Sequence, residues 1–543
     1  MKRALSVTIR ALICAVIIFV MYYFALPPIN IASTEMWMFI IFSIVICFIV
    51  FMVGTVKKTA SQTDFKNITG VKDLISAFKV KKYLIPVCAI VLILLFLFIG
   101  SLLGFEIFNA SNYKNLINPV DGSFTADVSE IKMEQIPLVD RDTAERLGKR
   151  KLGEISELVS QFEIEDIYTQ INYKGRPVRV TPLIYGDFIK WFNNKSEGIP
   201  AYILVDMSSQ ETSLVRLKEG MKYSNGEYFM RNLDRHLRFN YPTKIFDDLS
   251  FEIDDSGVPY WVAPVIDYKI GIWHGKDIGG AVLVNAITGE SKYYDLKDVP
   301  SWIDRVFDAD MIIEQLDYNG EYRSGYWNSI FGQKGVLQTT DGYNYLAIGD
   351  DVYMYTGMTS VTSDESNVGF VLTNLRTKET KFYVVPGAEE YSAMDSAEGQ
   401  VQNLGYKSTF PLLLNVSDRP TYFMSLKDNA GLVKMYAFVD VQQYQIVGTG
   451  NTVKQARENY ISKLKNEDIS SGEEIKTTTV SGVIEKINSA VVDGNTVYYI
   501  KLAENEKIYT AQIKLSDNLP FANVGDNITL TLLENDSITE IKF

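Results

Sequence analysis

The stretch Gly280–Leu296, GAVLVNAITGESKYYDL, is an apolar run, a polar turn carrying Thr288-Gly289-Glu290, and a second run ending in Tyr293-Tyr294. It recurs without a gap at Gly369–Val385 (GFVLTNLRTKETKFYVV) and Ala201–Leu217 (AYILVDMSSQETSLVRL). Asn285, Asn374 and Asp206 fall in register, as do Glu290, Glu379 and Glu211. The pattern predicts a β-hairpin: the first run is a buried strand, the small polar turn reverses the chain, and Gly289 supplies a positive φ. An Asp or Asn at the start satisfies turn amides with its own side chain. A fourth, degenerate copy is Tyr436–Val441 followed by Gln442–Val447, with Asp440 in the place of Asn285 and Gln445 in that of Glu290.

Strands rich in β-branched and aromatic residues precede each hairpin: Arg179–Tyr185, Pro259–Val265, Val352–Tyr355 and Thr421–Leu426. Helical segments are expected after three hairpins, at Val299–Phe307, Ala388–Gln402 and Asn451–Leu464, with Asp308–Thr340 as an insertion rich in Gly and Tyr. Before the hairpins, Asp140–Phe162 reads as a helix capped by Asp142, and Phe105–Val139 as a polar connector. After a polar linker at Asn466–Glu474, the chain reads as five short strands: Thr478–Ile487, Val497–Leu502, Ile508–Ile513, Asn527–Leu533 and Ile538–Phe543. Five short strands closing a small barrel is an OB-like arrangement.

The 543 residues are 47% hydrophobic, but unevenly so. Leu5–Leu26, Met36–Val56 and Tyr83–Gly104 are almost purely apolar and near the ~20 residues that cross a bilayer as a helix. The first follows Lys2 and Arg3 as a signal peptide would, but it lacks a small-residue cleavage site and two more spans follow, so a retained helix is expected. Lys2, Arg3, Arg10 and seven lysines of the Lys57–Lys82 segment flank the spans, whereas Pro27–Glu35 has no Lys or Arg. The positive-inside rule therefore puts the N-terminus and the lysine-rich loop in the cytoplasm and everything after about residue 104 outside. Within that loop, Asp73–Lys79 reads as a short interfacial helix.

Ten of the 53 basic and three of the 66 acidic residues precede Phe105, so the anchor carries +7 and the remainder −20. An acidic exterior argues against nucleic acid as a partner and against a peripheral hold on anionic lipid. Cys14, Cys47 and Cys88 all lie in the apolar windows, which leaves no disulfide framework, thiol catalysis or cysteine metal site outside them. A large cysteine-free exported domain points to a bacterial, Gram-positive cell envelope.

The core Val284–Glu290 (VNAITGE) resembles the V-D-A-x-T-G-E hairpin of PepSY domains, small extracytoplasmic α/β modules of protease propeptides and membrane-attached proteins. Asp206 and Asp440 keep the motif's acid where Asn285 and Asn374 do not. Gln210, Lys378 and Tyr444 stand where the second copy has Gly289. The resemblance implies a binding or inhibitory module rather than a catalyst.

The expected fold is thus a membrane-anchored α+β chain: a three-helix anchor (1–104), a connector and helix (105–165), a β-rich PepSY-like repeated ectodomain (166–465) and an OB-like barrel (475–543). No HExxH, G-x-S-x-G or P-loop is present, and the two histidines, His236 and His274, lack partners at catalytic or zinc spacing. No cofactor is called for. The acidic pairs Asp247-Asp248, Asp254-Asp255, Asp308/Asp310 and Asp350-Asp351 read as solvated turns; a glycosidase or a calcium site is the alternative use. Among the abundant aromatics, Trp261, Trp273, Tyr293, Tyr294, Trp302 and Trp327 are candidates for a binding surface, against a core role for strand aromatics. The partners expected are the lipid bilayer and an envelope protein or peptide. The alternatives are an envelope glycan-acting enzyme with paired carboxylates and an accessory or sensor subunit of a membrane complex.

Overall fold

The computed structural model describes residues 2–59, 81–130, 132–361, 366–466, 478–492, 495–516, 518–532 and 538–543. Three N-terminal helices, α1 (Lys2–Ala25), α2 (Thr34–Thr59) and α3 (Lys81–Leu103), are long and apolar enough to cross a membrane. Residues 60–80, most of the lysine-rich loop, and with them the expected Asp73–Lys79 helix, lie outside the described residues.

The connector carries more structure than its weak periodicity suggests. It forms α4 (Glu106–Lys114) and a two-residue strand at Val120–Asp121. The next helix, α5 (Arg141–Gly153), is capped by Asp140, whose carboxylate accepts the Thr143 amide at 3.0 Å, and not by Asp142. It also ends earlier than expected, leaving a short turn at Ser156–Val159 before the first sheet.

Four antiparallel meanders follow. Sheet I contains β1 (Thr169–Tyr173), β2 (Arg176–Tyr185), β3 (Ile199–Asp206) and β4 (Thr212–Met221), with α6 (Phe188–Asn194) inserted after β2. After α7 (Leu233–Asn240), sheet II contains β5 (Ser250–Ile253), β6 (Pro259–Ile270), β7 (His274–Asn285) and β8 (Ser291–Asp295). Then come α8 (Ala309–Glu321) and the sheet III strands β9 (Asn344–Ile348), β10 (Asp351–Ser360), β11 (Ser366–Asn374) and β12 (Thr380–Tyr383). Val120–Asp121 adds a parallel edge strand to β12. After α9 (Glu390–Gln400), sheet IV contains β13 (Leu412–Val416), β14 (Arg419–Lys427), β15 (Val433–Asp440) and β16 (Val447–Gly450), and α10 (Val453–Asn466) closes the head.

The helix expected at Val299–Phe307 is not formed. Val299, Ile303, Val306 and Phe307 are instead buried along an irregular segment between sheets II and III. The helix lies in the supposed insertion. There Asp308 caps α8 by accepting the Asp310 amide, and Met311, Ile312 and Leu316 give it a buried face.

The sheets stack by their faces. In β6, Trp261, Ala263 and Val265 pack against sheet I while Val262 packs towards sheet III. In β7, Val282 and Val284 face sheet I, and Ala281 and Leu283 face sheet III. Sheet III repeats the scheme: Val352, Met354 and Val371 on one face, Tyr355, Phe370 and Leu372 against sheet IV on the other. A strand buried on both faces reads as an apolar run rather than an alternation, which is why Ala281-Val282-Leu283-Val284 is unbroken. The stack curls until sheet IV meets sheet I. The Leu138 amide donates to Met207 O (2.7 Å), its carbonyl accepts from Ser425 Oγ (3.3 Å), Lys427 reaches Asp140 at 2.5 Å, and Gln210 Nε2 donates to Tyr436 OH at 3.4 Å.

The aligned stretches of the sequence are β3–β4, β7–β8 and β11–β12, the last hairpin of each of three sheets. Their turns are superimposable bond for bond. Asp206, Asn285 and Asn374 each accept two turn amides through Oδ1 at 2.9–3.0 Å, and each backbone amide donates to the carbonyl of Glu211, Glu290 or Glu379 at 2.9 Å. Gln210, Gly289 and Lys378 all adopt the left-handed conformation (φ 63°, 77° and 65°), so glycine is not what the turn itself requires. Gly289 has a different reason: a Cβ there would lie 2.2 Å from the Tyr223 ring. The fourth hairpin differs. Asp440 Oδ1 accepts from the Gln442 and Gln443 amides, but the Asp440 amide pairs with the carbonyl of Ile446, not of Gln445. That turn is one residue longer, and Tyr444 needs no positive φ.

The C-terminal five strands are β17 (Thr478–Val492), β18 (Asn495–Leu502), β19 (Ile508–Gln512), β20 (Asn527–Leu532) and β21 (Ile538–Lys542), in the order β19-β18-β17-β20-β21. A bulge between Ile484 and Lys486 lets β17 pair with β20 in its first half and β18 in its second. This unit has its own core, with Ile484, Ile500 and Leu530 fully buried. Among the described residues the edge strands β19 and β21 do not pair, so the sheet is open and the expected closed barrel is not formed.

Gly289→Ala combines a left-handed Cβ with a clash against Tyr223, and is expected to destabilise the head by about 3 kcal/mol. Gln210→Gly, in the same turn position, relieves the left-handed Cβ and loses the 3.4 Å bond to Tyr436 OH, and is expected to stay within about 1 kcal/mol of the parent. Denaturant unfolding of the purified full chain distinguishes the two.

Candidate functional site

A cleft with a polar lining, about 520 Å³, opens between sheet I, sheet II and the segment 305–308. Five aspartates border it, Asp166, Asp234, Asp247, Asp248 and Asp308, against two arginines, Arg141 and Arg305. Each is positioned by local chemistry. Asp234 lies in the first turn of α7, where the helix dipole favours an anion. Asp308 is the cap of α8. Asp247 accepts from Lys276 Nζ at 2.7 Å through Oδ1, while its buried Oδ2 has no partner among the described residues. Arg141 donates to Asp166 O at 2.8 Å.

Beneath the cleft lies a buried ionisable cluster. Glu252, on β5, is fully buried and accepts from Ser250 Oγ (3.1 Å) and from the amides of Asp304 (2.8 Å) and Arg305 (3.0 Å). Burial pushes its carboxyl up from the ordinary 4.5 to about 7. Asp304, equally buried, accepts the Asn172 amide at 2.6 Å, and burial followed by repulsion from Glu252 holds its carboxyl well above the usual range. Two adjacent carboxyls away from water do not both ionise, so the floor of the cleft retains a proton at neutral pH. Arg305 lies over the Tyr345 ring at 5.3 Å and its guanidinium reaches Tyr345 OH and Asp308 at 3.4 Å. Cations are thus favoured at the rim, and a proton is stored below it.

Of the acidic pairs, the fold brings Asp247, Asp248 and Asp308 to one cleft. Asp254 instead ties its own turn, accepting the Ser256 and Val258 amides, and Asp351 holds Arg376 in a two-point ion pair (2.7 and 2.9 Å). Among the described residues, no three His, Cys, Asp or Glu side chains converge as a metal site. His236 bonds to Gly289 O at 2.8 Å beside Tyr223, and His274 lies against Gly104, just past the end of the third helix.

The six aromatic candidates are dispersed. Trp261 is fully buried between sheets I and II, donating to Tyr223 O. Tyr293 lies under Lys244 (3.8 Å) and Tyr294 under Lys292 (4.5 Å). Trp302 packs on Tyr260 at 5.0 Å. Trp273 packs edge-on to Phe96 of α3 at 5.6 Å, and Trp327 is 62% exposed, stacked on Phe331. Sequence reasoning missed Glu252, Asp304 and Arg305. The available signal was Glu252 inside the short strand Ser250–Ile253, whose four residues are all buried.

No protein-family model matches the chain, and no curated protein matches it. Among solved structures it is similar to one of "NanB plus Optactamide", at 10% identity and a TM-score of 0.13, over 70% of this chain and 66% of that one. A TM-score of that size implies no common fold.

Because Glu252 holds its proton more tightly folded than unfolded, its contribution is full below about pH 4.5 and is lost as pH rises through about 7. The head is expected to be about 3 kcal/mol more stable at pH 5 than at pH 8 on account of this group. Glu252→Gln should flatten that dependence in pH-dependent thermal unfolding.

Proposed function

We propose that this chain is a bacterial cell-envelope membrane protein whose N-terminus is cytoplasmic and whose head, after about residue 104, is extracytoplasmic. In this reading the head binds and scaffolds a partner protein or peptide and catalyses no reaction. The observation that carries it is the aspartate-rimmed cleft in a head joined rigidly to its own anchor. A backbone hydrogen bond runs from Ile29 N to Pro242 O at 2.7 Å, and the Arg235 and Arg238 guanidinium groups donate to Tyr23 O and Leu26 O. A cleft rimmed by aspartates selects cationic groups by electrostatic complementarity, so the partner presents lysine or arginine there. The likeness of Val284–Glu290 to PepSY hairpins supports a binding module, and the charge distribution around the helices supports the orientation.

Fluorescence anisotropy of labelled pentalysine with the full chain in detergent tests the cleft. Asp247→Asn with Asp248→Asn and Asp308→Asn is expected to weaken binding about tenfold; unchanged binding would remove the proposal. A second reading, a carboxylate-dependent glycan hydrolase, is favoured only by the meeting of Asp247, Asp248 and Asp308 in one cleft. Release of reducing sugar from envelope glycan by the full chain, lost in Asp308→Asn, would establish it instead.

A further inference from the structure

We infer that the head is seated in the membrane leaflet on its own side by two apolar prominences flanking the helices, in addition to the three spans. The first prominence consists of Phe188, Ile189 and Phe192 on α6 with Phe229 and Met230 just before α7, all exposed, Ile189 to 70%. Its height relative to the membrane is set by one side chain. The Arg235 guanidinium donates to Tyr23 O of α1 (3.3 Å) and to Phe229 O (2.9 Å), and lies 4.6 Å from the Tyr23 ring. Tyr23 belongs to the last turn of the span Val7–Ala25. Phe229, one guanidinium away, is therefore level with the end of that span. Its backbone is left-handed (φ 53°), an uncommon conformation for a bulky residue, and its ring is 60% exposed.

The second prominence consists of Phe105 and Phe108 next to the end of α3, with Trp327, Ile330 and Phe331 beyond α8; Phe108 is 75% and Phe331 79% exposed. Its height is fixed independently. Tyr113 OH donates to Gly104 O at 2.8 Å, and a ladder of ring contacts runs from Tyr113 through Tyr318, Tyr322, Tyr326 and Trp327 to Phe331, at centroid distances of 4.6 to 6.1 Å. The hairpin tip of sheet II reaches further: Trp273 touches Phe96 and lies against Gly100, seven and three residues short of the end of α3. At 1.5 Å per residue, Phe96 is about 10 Å below that end.

A contiguous exposed apolar patch marks a contact surface, and continuity with helix ends that must themselves meet lipid identifies the occupant as lipid. The surrounding groups fit the headgroup region. Lys195 lies 3.9 Å from the Phe192 ring, and Arg231, which donates to Lys195 O, and Lys190 stand nearby; Asp187, the exposed acid at the start of α6, is held by Lys190 at 3.4 Å. Aromatic residues with cations beside them are what the membrane–water boundary selects.

The test uses the full chain in nanodiscs of phosphatidylcholine and phosphatidylglycerol, with Cys14, Cys47 and Cys88 replaced by alanine. A polarity-sensitive fluorophore is placed through Phe229→Cys, Phe331→Cys or Phe108→Cys, with Gln402→Cys, exposed in the turn that follows α9, as the water-facing reference. Labels at 229, 331 and 108 are expected to shift to the blue, to lose emission to nitroxide-bearing lipid, and to resist aqueous iodide; the label at 402 should do the reverse. Iodide access at 229 and 331 equal to that at 402 would overturn the inference. Three separate sites guard against one substitution that disturbs folding. Quenching by lipid reads the same whichever side of the membrane the head occupies, so a wrong orientation and a wrong seating give different results.

Discussion

The head depends on sheets II and III being buried on both faces. A sheet with one wet face can tolerate a one-residue slip at the cost of that face alone. Here a slip in β7 would exchange Val282 and Val284 with Ala281 and Leu283, and so misfit two cores together. That constraint gives the hairpin turns their importance. The carboxylate or amide at Asp206, Asn285 and Asn374 fixes where each reversal occurs, and with it the register of every strand it joins. The left-handed residue of each turn then contacts a neighbour. Gln210 reaches sheet IV, Lys378 forms an ion pair with Asp277 of sheet II at 2.7 Å, and Gly289 makes room for Tyr223. Turn chemistry and inter-sheet packing are therefore one arrangement.

The polar cleft is a by-product of the same stacking. Where sheets I and II diverge, the segment 304–308 fills the gap with its backbone, and Glu252 satisfies two of that segment's amides. A carboxylate is an effective acceptor for them, but its burial without a full countercharge makes it hold a proton. Replacing it with an apolar side chain would orphan both amides, a larger penalty than the raised pKa. The acidic rim and the protonated floor differ in electrostatics because one is wet and the other is not.

Local pattern made much of this visible. The three apolar windows, the hairpin turns with their Asp or Asn, and α9 and α10 all follow from short-range periodicity. Segment Val299–Phe307 misled because Pro300 and a spaced set of apolar residues imitate a first helical turn; they are buried one by one by two different sheets instead. The cap of α5 was off by two positions because Asp140 and Asp142 are both competent, and only the long-range pairing of Asp140 with Lys427 separates them. Glu252 and Asp304 are 52 positions apart, so their encounter is a property of the stack and no window could contain it. Trp273 and Trp327 looked like the other aromatics; what distinguishes them is the contact of Trp273 with Phe96 of the third helix and the exposure of Trp327.

The clamp between α7 and the first helix has a mechanical consequence. Arg235, Arg238 and the backbone pair Ile29–Pro242 tie the head to the end of α1 and to the short link that leads into α2. Chain connectivity ties the same head to α3. A pull on the head is therefore shared among all three helices at once, and these bonds are loaded in parallel rather than opened one after another. Tilting the head tilts the bundle. The molecule transmits torque across the boundary of the lipid where a flexible linker would dissipate it.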